Sequence, residues 1–170
     1  MLVSFFLFQI GWFACVYLGA DYRGEIGAFI MLVLSLGQVA LSKQRGRLLG
    51  FIVAATLLGS FLDSCLNHFG FFEFMVPSKM PWSYPIWMSA LWFGFALVMH
   101  KTLGWMAGKP VASALFGFLG GAASYYAGSN LGGIAFPEGI LFSLIVIGFF
   151  WSTITPFLFW LHRRMGLTYE

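Results

Sequence analysis

Six long apolar segments, joined by short polar connections, limit the folds open to this chain more than any other feature. They run from Leu2 to Leu18, Ile26 to Leu41, Leu48 to Phe69, Pro85 to Leu103, Val111 to Gly128 and Ile140 to Leu161. A helix needs roughly 20 apolar residues to cross a hydrocarbon core about 30 Å thick. None of the segments alternates strictly as barrel strands do, and helices satisfy their own backbone amides in lipid. The sequence therefore predicts an all-α integral membrane protein with six transmembrane helices.

The scarcity of charge supports this prediction and limits the chain to one domain. Charged residues make up 9% of the sequence and apolar residues 60%, whereas soluble domains carry about 25% charged residues. Six crossings use most of the 170 residues, so we expect residues 1–170 to form a single polytopic domain. The net charge of +3 is spread over the connections and forms no basic face, so no nucleic-acid partner is expected.

The basic residues also predict how the bundle is oriented. One side of the predicted topology holds Lys43, Arg45, Arg47, Lys101, Lys109, Arg163 and Arg164. The other side holds only Arg23 and Lys79. Loops rich in Lys and Arg stay in the cytoplasm. The pattern predicts a multi-pass protein of a bacterial inner membrane, with the N-terminus and C-terminus both in the cytoplasm.

One polar stripe lies in the third apolar segment, where hydrocarbon should exclude it. Ser60, Asp63, Ser64 and Asn67 follow i, i+3, i+4, i+7 spacing, which places them on one helix face. A charged residue at a helix centre costs roughly 2.5–3.5 kcal/mol on insertion scales. Three interpretations remain open for Asp63: a structural carboxyl bonded to hydroxyls and indoles, a ligand or proton site in the outer half of the bundle, or a residue at the interface.

Other segments place aromatic and polar side chains at the same depth as Asp63. They are Tyr125 and Tyr126 on the fifth segment, Trp87 and Trp92 on the fourth, and Gln9 and Trp12 on the first. Any one aromatic side chain is typical of an interfacial belt. Their shared depth favours a pocket in the outer half. The longer external connections, which contain Pro77, Pro81, Trp82, Tyr84, Gly132, Gly133 and Pro137, make that side the expected entrance.

Several features of the sequence point to packing. Small residues on the fifth segment at spacings of three or four predict a helix-packing seam, central to the bundle or at a homodimer contact: Ser113, Gly117, Gly121, Ser124 and Gly128. Cys15 and Cys65 lack metal spacing and are interpreted as small packing residues. They form a disulfide only if the first and third helices touch. His100 and His162 lie at cytoplasmic helix ends, whereas His68 lies at an external end. Because the bilayer separates His68 from the other two, no metal site and no cofactor are predicted.

Three functional hypotheses follow. The first is a membrane protein, non-enzymatic or at most accessory, that binds a lipid or small amphiphile through Asp63, Asn67 and the aromatic side chains, with Gln9 and Trp12 supporting the pocket. The second is a small substrate-capturing transport component that works with a partner membrane protein. The third is a lipid-modifying enzyme in which Asp63 is an acid or base, although no second group is clearly nominated.

The sequence also resembles a family of small bacterial inner-membrane proteins catalogued only as a domain of unknown function. The similar stretches keep the family's order along nearly the whole chain: Phe8-Gln-Ile-Gly-Trp-Phe-Ala-Cys-Val16, Leu62-Asp63, Pro85-Ile-Trp-Met88 with Leu91-Trp92, and Tyr126-Ala-Gly128 with Leu131-Gly132. The resemblance implies a polytopic membrane domain of proteobacterial type. Genes of such proteins often neighbour enzymes that modify membrane fatty acids, which implies a lipid partner and assigns no catalytic residue.

Overall fold

The computed structural model describes residues 2–76 and 84–170. Within these residues the chain forms six α-helices, a single 3₁₀ turn and two short strands. In chain order they are α1 (Leu2–Ala20), α2 (Gly24–Ala40), α3 (Arg45–His68), β1 (Glu73–Phe74), α4 (Ile86–Thr102), the 3₁₀ turn (Gly104–Met106), α5 (Pro110–Asn130), β2 (Ile134–Ala135) and α6 (Ile140–Arg164). The prediction of an all-helical chain with six helices is confirmed. Each predicted bound lies within one helical turn of the observed bound.

Local chemistry explains where the helices begin and end. After α1 the Arg23 amide donates to the Leu18 carbonyl at 2.8 Å, and Tyr22 adopts φ 59°, so the chain turns back at once. Pro110 opens α5, where its missing N–H would have no helical partner and its fixed φ suits a first turn. Gly139 precedes α6 with φ 95°, a conformation that residues with a Cβ seldom adopt.

The helices form two packed groups. In the first, α1 packs along α2, and α4 contacts α1, α2 and α3. In the second, α5 packs along α6. The connection after α3 meets the connection after α5 through an antiparallel pairing of β1 with β2, Glu73 opposite Ala135 and Phe74 opposite Ile134. We call this end of the bundle the strand end, and the opposite end, where residues 165–170 fold back, the tail end.

Each end has its own apolar core. At the tail end Phe51, Met99 and Leu158 are fully buried in a cluster contributed by α3, α4 and α6. At the strand end a second buried cluster includes Cys15, Met31, Phe72 and Trp87. Both cysteines, Cys15 and Cys65, are free thiols. Pro77, Lys79, Pro81 and Trp82, which the sequence analysis placed in an external connection, lie outside the described residues.

The outward faces of the helices are apolar, as in a membrane protein. Phe61, Leu141 and Phe149 are 65%, 74% and 63% exposed. Among the described residues, three helices are long and apolar enough to cross a membrane: α1, α3 and α6. The apolar α2 has only 17 residues. A water-soluble protein rarely exposes apolar surface so continuously.

Two glycines of the small-residue seam on α5 face α6. A Cβ on Gly117 would lie 2.2 Å from the Trp151 carbonyl oxygen, and a Cβ on Gly121 would lie 2.2 Å from Cγ of the Trp151 ring. The two glycines therefore admit the bulk of Trp151, which brings α5 and α6 together as the small-residue spacing predicts.

Candidate functional site

Asp63 is an acidic residue buried in the apolar interior of the bundle. Its side chain is 1% exposed, yet both carboxylate oxygens accept hydrogen bonds. The Trp92 indole N–H donates to Oδ2 at 2.7 Å, and the Tyr84 hydroxyl donates to the same oxygen at 3.3 Å. The Tyr125 hydroxyl donates to Oδ1. A buried carboxylate is tolerated when its oxygens are bonded in this way.

The approach of Trp92 to Asp63 depends on a glycine one turn earlier in α3. A Cβ on Gly59 would lie only 2.0 Å from Cδ2 of the Trp92 ring. Residues four apart lie on the same helix face. The bare backbone at Gly59 therefore lets the indole lie flat on α3, and its N–H then reaches the carboxylate of Asp63.

The donors to Asp63 are all neutral. Among residues 2–76 and 84–170 the ion pairs join Asp21 to Arg23 and Glu170 to Lys101 and His100, and none includes Asp63. A buried polar network of this kind stabilises the structure only when it is fully satisfied. Asp63 thus ties α3 to α4 and α5, although α3 does not pack along α5. This geometry matches the first of the three interpretations of Asp63, hydrogen bonding to hydroxyls and an indole.

The other members of the polar stripe have local roles. Ser60 Oγ lies 2.9 Å from Ser89 Oγ on α4, and Ser64 Oγ donates to the Ser60 carbonyl at 2.7 Å. Asn67 Nδ2 donates to the Phe72 carbonyl at 2.9 Å, which fastens the turn that follows α3. The stripe therefore faces α4 at its start and the β1 connection at its end.

A cavity of about 420 Å³ lies beside this network, between α1, α4 and α5. Six of the residues nominated from the sequence line it: Gln9, Trp12, Asp63, Trp87, Trp92 and Tyr125. The other two nominated residues lie elsewhere. Asn67 bonds the β1 connection, and Tyr126, adjacent to Tyr125, is 48% exposed on the other side of α5.

The cavity is mostly apolar, and most of its polar groups lie towards the strand end, with Gln9 near the middle of α1. There Trp12 Nε1 donates to Ser124 Oγ at 3.1 Å, a bond that joins α1 to α5. Towards the tail end the lining consists of apolar side chains such as Phe95, Val98 and Phe116. The cavity thus has a polar end and an apolar end.

Two residues beside Asp63 and Trp92 were not predicted from the sequence. Trp151 of α6 stacks on Trp92, with ring centroids 4.6 Å apart and planes 7° apart, and it also lines the cavity. Tyr84 was placed in an external connection and was not recognised as a partner of Asp63. The paired glycines on α5 were the available signal for a large ring from a neighbouring helix, but spacing does not identify the ring.

The family named "Protein of unknown function (DUF2878)" matches residues 1–157. The chain belongs to this family. The match confirms the resemblance drawn from the sequence motifs. No curated protein and no solved structure matches the chain. All the residues of the Asp63 network and of the cavity fall inside the part of the chain that matches DUF2878.

A second polar cluster of this DUF2878 member lies at the tail end. His100 Nδ1 and His162 Nε2 are 2.8 Å apart, and both side chains are fully buried. The Tyr169 ring stacks on His162 at 4.3 Å. Sequence analysis placed both histidines at the same end without pairing them. Within the described residues no group of three or more His, Cys, Asp or Glu side chains is arranged to hold a metal ion.

Residues 165–170 are held over this cluster by polar contacts. Glu170 pairs with Lys101 and accepts a hydrogen bond from Ser42 Oγ at 2.9 Å. The hydrogen bond from the Lys101 ammonium is the main cause that lowers the pKa of Glu170 to about 2, and the Ser42 hydroxyl adds to it. Gln44 Nε2 donates to the Thr168 carbonyl at 3.0 Å. The tail is therefore anchored to the start of α3 and the end of α4.

Replacing Tyr125 with Phe tests whether the bonds to Asp63 hold the bundle together. Tyr125→Phe removes one hydrogen bond to a carboxylate, a class of bond that contributes about 1.5–3 kcal/mol. We expect a lower unfolding temperature in detergent for this variant. Tyr126→Phe removes the neighbouring, exposed hydroxyl and should leave the unfolding temperature unchanged. Equal effects of the two substitutions would show that the bond to Asp63 does not stabilise the fold.

Proposed function

We propose that the chain is a six-span protein of a bacterial inner membrane, with both termini in the cytoplasm and the strand end at the periplasm. The excess of Lys and Arg in the tail-end connections, seven against two, supports this orientation. The alternating course of the six helices supports the number of crossings. Helices α2 and α4 have 17 residues each, about 25 Å, so they reach across most of a hydrocarbon core.

Cysteine labelling tests this topology. In a background with Cys15 and Cys65 replaced by Ala, a single cysteine is placed at Glu138 or at Lys109. We expect a membrane-impermeant maleimide to label Glu138→Cys in intact spheroplasts and Lys109→Cys only after the membrane is opened. Labelling of Lys109→Cys in intact spheroplasts would contradict the orientation.

We further propose that the cavity between α1, α4 and α5 binds a lipid or small amphiphile. The observation that carries this proposal is the cavity itself, about 420 Å³ with aromatic walls and few polar groups. Small-molecule sites typically have volumes of about 300–1,000 Å³ and linings of this kind. Two residues at its margin, Phe13 and Phe116, are 54% and 38% exposed, which supports lateral entry from the bilayer.

The distribution of polarity supports a particular orientation of the ligand. Trp12, Ser124 and Asp63 lie in the periplasmic half of the proposed topology, and the apolar lining extends towards the cytoplasmic half. An amphiphile would therefore place its polar part towards the strand end and its hydrocarbon chain towards the tail end. A role accessory to lipid modification is compatible with such a site.

The environment of Asp63 favours binding over acid–base chemistry at this residue. Both of its oxygens already accept hydrogen bonds from Tyr84, Trp92 and Tyr125, and the side chain is 1% exposed. A general acid or base must be able to exchange a proton with the substrate. Asp63 is thus better suited to shape the wall of the cavity than to react with its contents.

Filling the cavity tests the proposed binding. Gly120 lines the cavity, and the nearest atoms to an added Cβ are in the Phe116 ring, 3.9 Å away, so Gly120→Leu adds bulk without a backbone clash. We expect native mass spectrometry to show lipid retained by the wild type and lost from Gly120→Leu. The control is Gly37→Leu, at a position with nothing within 4 Å on α2 and outside the cavity, and this variant should keep the lipid.

Two outcomes of the cavity-filling experiment would contradict lipid binding. One is a wild type that retains no lipid in a gentle detergent. The other is equal retention by the wild type, Gly120→Leu and Gly37→Leu, because a ligand unaffected by bulk at Gly120 does not occupy the cavity.

A further inference from the structure

The polar side chain of Gln9 lines the cavity but takes no part in the hydrogen bonds described above. Gln9 lies on α1 on the same face as Phe5, Trp12 and Val16, which are spaced by four, three and four residues, and all four line the cavity. Gln9 is about 16 Å along the helix axis from the end of α1 at Ala20. It therefore lies near the middle of a hydrocarbon core about 30 Å thick.

The Gln9 amide makes no hydrogen bond within the part of the chain that the structure describes. The nearby Trp12 indole donates to Ser124 instead. Gln38 of α2 differs from Gln9 at its amide nitrogen, because its Nε2 donates to the Leu34 carbonyl at 3.0 Å, while its Oε1 has no partner among the described residues. An amide has two donor hydrogens and one acceptor oxygen, and leaving them unbonded in an apolar environment is costly. Gln9 thus presents a free, uncharged donor and acceptor to whatever occupies the cavity.

The charges of the lining side chains limit the kinds of ligand that the cavity can bind. The described lining contains no Lys, Arg or His, and its one charged side chain, Asp63, is already bonded to its three donors. A phosphate would find no cation here. A neutral oxygen, such as a hydroxyl or a carbonyl, would find the Gln9 amide.

We infer that Gln9 recognises a neutral oxygen carried on a hydrocarbon chain, an inference that rests on the proposed binding function. The depth of Gln9 places this oxygen well below the headgroup region. Two sources share this chemistry: an acyl chain oxygenated along its length on an intact phospholipid, and a free long-chain amphiphile that enters whole. The ligand class is an oxygenated long chain in both cases.

Binding of matched chains tests this inference. Delipidated protein is equilibrated in detergent with octadecane, octadecanol, distearoyl phosphatidylcholine or its 12-hydroxystearoyl analogue. Probe that co-elutes with the protein is measured by mass spectrometry. We expect the wild type to retain an oxygenated probe about fivefold more than its matched chain, the effect of one net neutral hydrogen bond. Preference for octadecanol indicates a free amphiphile, and preference for the hydroxylated phospholipid indicates an intact lipid.

Two variants assign the effect to Gln9. Gln9→Leu should abolish the preference and leave retention of the unoxygenated chains unchanged. Gln38→Leu, the same substitution at the other intramembrane glutamine, should keep the preference. Gln9→Met serves as a second variant of similar shape, and elution volume and circular dichroism report its folding.

The outcomes separate this inference from the binding proposal on which it rests. Absence of any retained probe on the wild type would overturn the binding proposal itself. Retention of every chain without preference for oxygen, or a preference that survives in Gln9→Leu, would overturn only the role of Gln9.

Discussion

A carboxylate buried in an apolar bundle is the constraint on which this structure depends. Asp63 has no cation beside it within the described residues, so the protein supplies hydrogen-bond donors from two helices and a loop. Because Trp92 and Tyr125 donate to Asp63, their hydrogen bonds fix the positions of α4 and α5 against α3 at the strand end. Gly59 contributes to the same arrangement, because a Cβ at this position would keep the Trp92 ring from reaching the carboxylate.

The cavity follows from how the two helix groups meet. Helices α5 and α6 pack tightly through glycine and Trp151, and at the tail end α6 joins the first group through the buried apolar core and the His100–His162 contact. Beside the cavity, the two groups are joined by a few directed contacts. These are the Tyr125–Asp63 bond, the Trp12–Ser124 bond, the Trp92–Trp151 stack and the pairing of β1 with β2. Because these contacts are isolated, they leave a space between the two helix groups that continuous helix packing would fill. Several residues that hold the groups together therefore also line the cavity, and Gln9 is a polar lining residue whose amide makes no hydrogen bond within the described residues.

Local patterns predicted what depends on local physics. Hydropathy located the six helices, and the polar stripe identified Asp63 as a residue that required an explanation. The shared depth of five other side chains was sufficient to predict that they line one pocket with Asp63: Gln9, Trp12, Trp87, Trp92 and Tyr125. The partners of Asp63, the strand pairing and the meeting of His100 with His162 depend on contacts between distant segments, which spacing along one helix does not encode. Asn67 illustrates the limit: it shares the stripe with Asp63, but the chain turns after α3 and brings the Phe72 carbonyl to its amide.

The proposed binding requires that a hydrocarbon chain enters between α1, α4 and α5 and lies against Gln9. Anomalous diffraction from crystals grown with a phospholipid brominated along its acyl chain measures this directly, because bromine marks the position of the chain. We expect a bromine peak inside the cavity, between Gln9 and the face of α5 that carries Gly120. Bromine peaks confined to the outer faces of the helices, with none in the cavity, would contradict it.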